Sequence, residues 1–110
     1  MPNDFYIFDF SLEDVPRDWE PTERLDFDVW ITVNVGDGNA GAYYYVHICT
    51  PMSIPRLTDK RSIFMIDEWC GLDDLIARMN QYIEESLTSY VGDPYHKLAK
   101  EWSWEYDNYR

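Results

Sequence analysis

The chain is poor in the residues that usually carry chemistry. Its 110 residues include two cysteines, Cys49 and Cys70, and two histidines, His47 and His96. Two thiols so far apart make neither a zinc motif nor a disulfide framework. They read as thiols buried in the core of a protein kept in a reducing compartment. The histidines lack metal-ligand spacing, so no metal and no cofactor is expected. No apolar run approaches the ~20 residues needed to cross a bilayer. The opening MPNDFYIF has no basic segment, and Phe5 to Phe10 is too short and too interrupted for a signal sequence. A cytoplasmic location is the expectation. Bases are also scarce: 9 Lys and Arg stand against 21 Asp and Glu, a formal charge of −12. Such a field repels nucleic-acid phosphates and anionic membranes, and it draws basic partners in.

Apolar and aromatic residues are plentiful. They make up 45% and 17% of the chain, with nine Tyr and five Trp. A chain of this length buries roughly two-thirds of its unfolded surface, enough for one domain spanning residues 1–110. The aromatics exceed what a small core needs, and Tyr and Trp are the residues that anchor binding interfaces.

The organising stretch is Phe27 to Pro51, FDVWITVNVGDGNAGAYYYVHICTP. Phe27, Val29, Ile31, Val33 and Val35 alternate with Asp28, Trp30, Thr32 and Asn34, the period-two signature of a strand with one aliphatic face. GDGNAG turns the chain, with Gly36, Gly38 and Gly41 offering positive φ and with Asp37 and Asn39 able to bond local backbone. A return strand runs from Ala42 to Thr50, and Pro51 stops it. Before the hairpin, Asp4 to Leu12 reads as a first strand, with Tyr6, Phe8 and Phe10 on one face and Phe5, Ile7 and Asp9 on the other. Glu13 to Asp26 holds Pro16, Pro21 and a concentration of acids, and keeps neither period. It reads as an exposed loop carrying Trp19 among carboxylates: either a solvated connector with Trp19 folded onto the core, or an aromatic anchor inside an acidic rim.

After the hairpin, Met52 to Lys60 reads as a loop. Arg61 to Asp67 reads as a strand apolar enough to be central and covered on both faces. Leu72 to Ser89 is the clearest helix, with Leu72, Leu75, Ile76, Met79, Ile83 and Leu87 on one stripe and Asp73 and Asp74 in the first turn. Asp93 can cap a second helix starting at Pro94. The closing WSWEYDNYR fits either the end of that helix or a short strand. The order of elements predicts an α+β fold: an antiparallel sheet of about four strands packed against two C-terminal helices.

The search for a reactive centre finds little. His47 and Cys49 would share a strand face, but nothing nearby supplies an oxyanion hole or an orienting third group. GDGNAG has no Lys, no following Ser or Thr and no following helix, so it is a hairpin turn and not a phosphate loop. Asp73 and Asp74 are helix neighbours that do not face the same way. The chain is not expected to be an enzyme.

Several pieces together resemble the Immunity protein 8 family. They are the strand ending at Gly36, the Gly-rich turn, the strand closing on Ile48-Cys49-Thr50-Pro51, a short apolar strand, a long amphipathic helix, and Trp104-Glu105 near the C-terminus. The resemblance runs from about Val29 to Tyr106. These are small proteins encoded beside bacterial polymorphic toxins, including contact-dependent inhibition systems, and the family carries no catalytic residues. The resemblance implies a cytoplasmic antidote that binds and neutralises a cognate toxin C-terminal domain, commonly a nuclease. Nuclease domains hold phosphates and are generally basic, which suits a partner of charge −12. The residues expected at the toxin are Trp19, Glu20 and Glu23 of the acidic loop and Asp37 and Asn39 of the hairpin turn. Two alternatives stand beside this. One is a small enzyme or ligand-binding domain with a pocket under Tyr43, Tyr45 and His47; the other is an interaction module unrelated to toxins.

Overall fold

The computed structural model describes residues 5–104 and, at Trp104, the backbone alone. Asp4, expected to begin the first strand, and Glu105 to Arg110, which include part of the WSWEYDNYR and Trp104-Glu105 readings, lie outside the described residues. The elements are β1 (Tyr6–Leu12), β2 (Asp28–Gly36), β3 (Gly41–Cys49), a 3₁₀ helix (Pro51–Arg56), β4 (Ile63–Met65), α1 (Leu72–Leu87), α2 (Pro94–Ala99) and β5 (Ser103–Trp104). The α+β architecture is as expected: a largely antiparallel sheet in the order β1-β2-β3-β4, followed by the helices.

The hairpin is the centre of the sheet. β2 pairs with β3 without a register break from Asp28↔Cys49 to Gly36↔Gly41. Period two then sends Val29, Ile31, Val33 and Val35 of β2, and Ala42, Tyr44, Val46 and Ile48 of β3, into one buried layer. The apolar stripe of α1 closes that layer with Leu75, Met79, Ile83 and Leu87. Such a stripe at helical spacing must be buried against another apolar surface, here the inner face of the sheet. The α2–β5 segment adds Leu98 and Trp102, and the Tyr44 hydroxyl donates to the Tyr95 carbonyl at 2.9 Å.

Of the three turn glycines, only Gly38 has positive φ, at 93°. Gly36 and Gly41 are needed for space instead. A Cβ on Gly36 would lie 1.9 Å from the Ala40 carbonyl oxygen, and one on Gly41 would lie 2.7 Å from the Phe8 ring. Asp37 is the residue that bonds local backbone: its Oδ1 accepts from the Asn39 and Ala40 amides at 2.9 and 3.0 Å.

Residues 48–51, ICTP, form a clasp. The Phe27 amide donates to Thr50 Oγ1 at 3.0 Å, that hydroxyl donates to the Phe27 carbonyl at 3.2 Å, and the Thr50 amide donates to the same carbonyl at 3.2 Å. Thr50 is fully buried. Pro51 opens the 3₁₀ helix, and Ser53 donates from both its amide and its hydroxyl to the Thr50 carbonyl. The stretch from Met52, expected as a loop, is therefore helical up to Arg56.

Two strand expectations are corrected. In β1 the register shifts between Ile7 and Asp9, so Phe8 is a bulge residue. One extra residue reverses the faces. Phe10 and Leu12 consequently join Ile7 toward the core, while Tyr6 and Phe8 stay outside. The second correction is β4, which is a three-residue edge strand and not a covered central one. It runs parallel to β3, because residues 50–62 carry the chain back past the end of β3 before it pairs. Phe64 faces the core, whereas Met65 is 52% exposed. β5 pairs antiparallel with β3 at Tyr44 and Tyr45, which resolves the start of WSWEYDNYR as strand. Asp93 caps α2 as expected, accepting from the Tyr95 amide at 2.9 Å.

The clasp yields a stability prediction. Thr50→Val keeps the shape but strands the buried Phe27 amide, so it should cost about 1–3 kcal/mol. That loss should appear as a lowered urea midpoint with an unchanged m-value.

Candidate functional site

The sheet has a second face that none of the described helices covers. It carries Tyr6 and Phe8 from β1, Trp30, Thr32 and Asn34 from β2, and Tyr43 and Tyr45 from β3. Tyr6, Phe8, Tyr43 and Tyr45 are each between 40% and 43% exposed. Tyr6 and Phe8 meet edge to face at 6.2 Å, and Phe8 lies over Gly41. On the same face, Thr32 Oγ1 and Asn34 Oδ1 are buried without a hydrogen-bond partner among the described residues. The three long strands contain no Lys or Arg, and Asp9 and Asp28 are the acids of this face.

His47 belongs to the same face but is closed off. Its ring stacks on Trp30 at 4.4 Å, and Nε2 pairs with Asp28 Oδ2 at 2.8 Å. The residue is 97% buried (relative exposure 3%) and so does not join Tyr43 and Tyr45 in an open pocket. Cys49 donates its thiol to the His47 carbonyl at 3.6 Å rather than to the ring. Burial, with the Asp28 charge second, pushes this thiol up to about 12, so it is not a nucleophile near neutral pH. Among the described residues no group of three His, Cys, Asp or Glu side chains could hold a metal ion. No helix among them is long and apolar enough to cross a membrane.

The five residues expected at a partner surface fall at opposite ends of the hairpin. Trp19 packs edge to face on Phe27 at 5.9 Å and on Trp69 at 5.4 Å, so its ring seals the core. Glu20 and Glu23 are exposed beside it. Glu20 lines an open groove of about 500 Å³ together with Thr22, Arg24, Trp69 and Cys70. Arg24 is held by Glu68 at 3.5 Å and donates to the Trp69 carbonyl at 3.0 Å, which leaves Glu20 and Glu23 uncompensated. Asp37 and Asn39 are exposed at the hairpin tip. The Ala40 amide, and then the Asn39 amide, hold the Asp37 carboxyl below its usual range. The nine residues of β2 separate the two groups by about 27 Å.

The aromatic face was only half visible in the sequence. Tyr43 and Tyr45 alternate openly, but Tyr6 and Phe8 join them through a bulge that no residue type announces.

The described residues offer a buried thiol, a stacked and paired histidine, an open aromatic sheet face and an exposed acidic loop, and the last two have the make-up of binding surfaces. Residues 7–109 match the family model Immunity protein 8, and the chain belongs to that family. The match takes in β1 and the acidic loop, ahead of the residues that carried the resemblance in the sequence. Membership implies neutralisation of a cognate toxin by a non-catalytic inhibitor. No curated protein and no solved structure matches the chain.

The thiols provide a direct check. In the native protein Cys70, which is exposed, should alkylate at pH 8, while Cys49 should react only after denaturation. Intact-mass measurement should read one adduct and then two; two adducts on the native protein would contradict the burial.

Proposed function

We propose that this protein neutralises a basic toxin domain, a nuclease of a polymorphic or contact-dependent inhibition system, by occupying its surface in the cytoplasm. The observation that carries the reading is the uncompensated acidity of an exposed loop on a scaffold of charge −12. Glu20 and Glu23 project from a segment whose Trp19 is anchored inward, so the loop offers charge on a fixed backbone. The backbone bond from the Trp69 amide to the Arg24 carbonyl, at 2.9 Å, ties the loop to the turn ahead of α1. A nuclease holds phosphate with Lys and Arg, and a fixed set of carboxylates competes for those same groups. Charge of this kind acts first on encounter: it accelerates association and makes the rate depend on salt. Asp37 and Asn39, at the far tip, extend the contact in this reading. Blocking of this sort needs no bond making or breaking.

The test uses the toxin domain encoded beside the gene, in catalytically inactive form. Glu20→Lys with Glu23→Lys should slow association about tenfold and flatten its salt dependence, with little change in dissociation. Stopped-flow or surface-plasmon rates across a salt series read this out. An unchanged on-rate removes the loop from the encounter surface. A wild-type protein that does not bind the domain at all overturns the function.

A further inference from the structure

The structure assigns the anchoring contact to the open sheet face, through Tyr6, Phe8, Trp30, Tyr43 and Tyr45, with the Arg and Lys side chains of a basic protein as its occupant. This rests on the function proposed above and locates where the partner docks once charge has brought it near.

Three observations converge on that occupant. First, the rings share one face of β1, β2 and β3, and the unbroken pairing of β2 with β3 from Asp28↔Cys49 to Gly36↔Gly41 makes its centre rigid. Rigid Tyr and Trp rings lose little side-chain entropy on binding, which is why they anchor interfaces. Second, acids outnumber bases on this face, and His47, the basic residue the three strands place there, is closed off against Trp30 and Asp28. No Lys or Arg occurs on the three long strands, and Asp9 and Asp28 flank the rings. A guanidinium or ammonium group settling over a Tyr or Trp face gains from the ring quadrupole, and here no cation of the face itself opposes it. Third, Asn34 Oδ1 and Thr32 Oγ1 are buried on this face without a hydrogen-bond partner among the described residues. A group that reaches them as the rings give way must bring donors, and a guanidinium or an ammonium brings donors alone. A second copy of this chain fits poorly, because it would bring another −12 and another pair of Asp9 and Asp28 against the same face.

The edge of the sheet is a weaker place to dock. The Ile7 amide is already taken by Asn80 Oδ1 of α1 at 2.7 Å, the Phe10 amide by Asp9 Oδ1 at 3.0 Å, and the bulge at Phe8 interrupts the row. Edges protected in this way resist strand addition. The partner is therefore expected to lie across the face rather than beside it.

Isotope-labelled protein titrated with hexa-arginine amide, and separately with the inactive toxin domain encoded beside the gene, tests the assignment by amide chemical shifts. Perturbation of residues 30–34 and 43–45 with both probes is the expected result. Shifts confined to residues 13–26 with either probe would overturn it. So would a concentration-dependent doubling of mass in sedimentation, without any probe, that shifts the same residues. Tyr43→Ala with Tyr45→Ala should weaken the toxin domain by about a hundredfold or more, mostly through faster dissociation, while the corresponding Phe pair stays near wild type. Equal affinity of the Ala pair and wild type would overturn the assignment and leave the immunity function standing. Absence of any toxin-domain binding by wild type would overturn that function, and the hexa-arginine map would still decide the face.

Discussion

The unbroken pairing of β2 with β3 is the constraint on which the molecule depends. It forces alternate side chains of both strands to opposite sides. One side is aliphatic and must be covered; the stripe of α1 and the α2–β5 segment cover it. The other side inherits whatever the alternation leaves there: Trp30, Thr32 and Asn34 against Tyr45 and Tyr43. A slip of one residue would exchange the two sides and destroy both. The Thr50 clasp at one end and the close glycine approach at the other hold the register at its two extremes.

Around that frame, groups that could be reactive are placed where they do structural work. His47 is stacked and paired, Cys49 is buried and protonated, and Trp19 seals the end of the core with Phe27 and Trp69. The charged groups remain outside. Several bases are already engaged: Arg24 with Glu68, Arg56 with Asp26, Arg61 with Asp59 and Arg78 with Asp74. Exposed pairs of this kind add little stability, but they neutralise the few cations available. The formal charge is therefore acidic, −12 over the chain, on a protein whose family neutralises a cognate toxin.

Much of the fold was legible in the order of residues. The hairpin, α1 with its stripe, the Asp93 cap and the α+β class all follow from period, caps and turn residues, which are local signals. The site was legible only in outline. Acidity and a surplus of Tyr and Trp pointed to binding, and ICTP pointed to a family. Trp19 looked equally like an anchor for a partner and an anchor for the core. The positions of Phe27 and Trp69, distant in the chain, show that its ring packs on the core. That Glu20 and Asp37 stand at opposite ends of β2 follows from the span of the strand, which neither residue carries in itself.

Local chemistry alone therefore dictated which two strands form the hairpin and which helix is amphipathic, since each depends on neighbours a few residues away. The sidedness of β1, the parallel direction of β4, the burial of His47 and the gathering of the outer rings had to await three-dimensional packing. A bulge, a crossover and a stacking partner each arise where distant segments compete for the same space, and that competition leaves no mark on a linear chain.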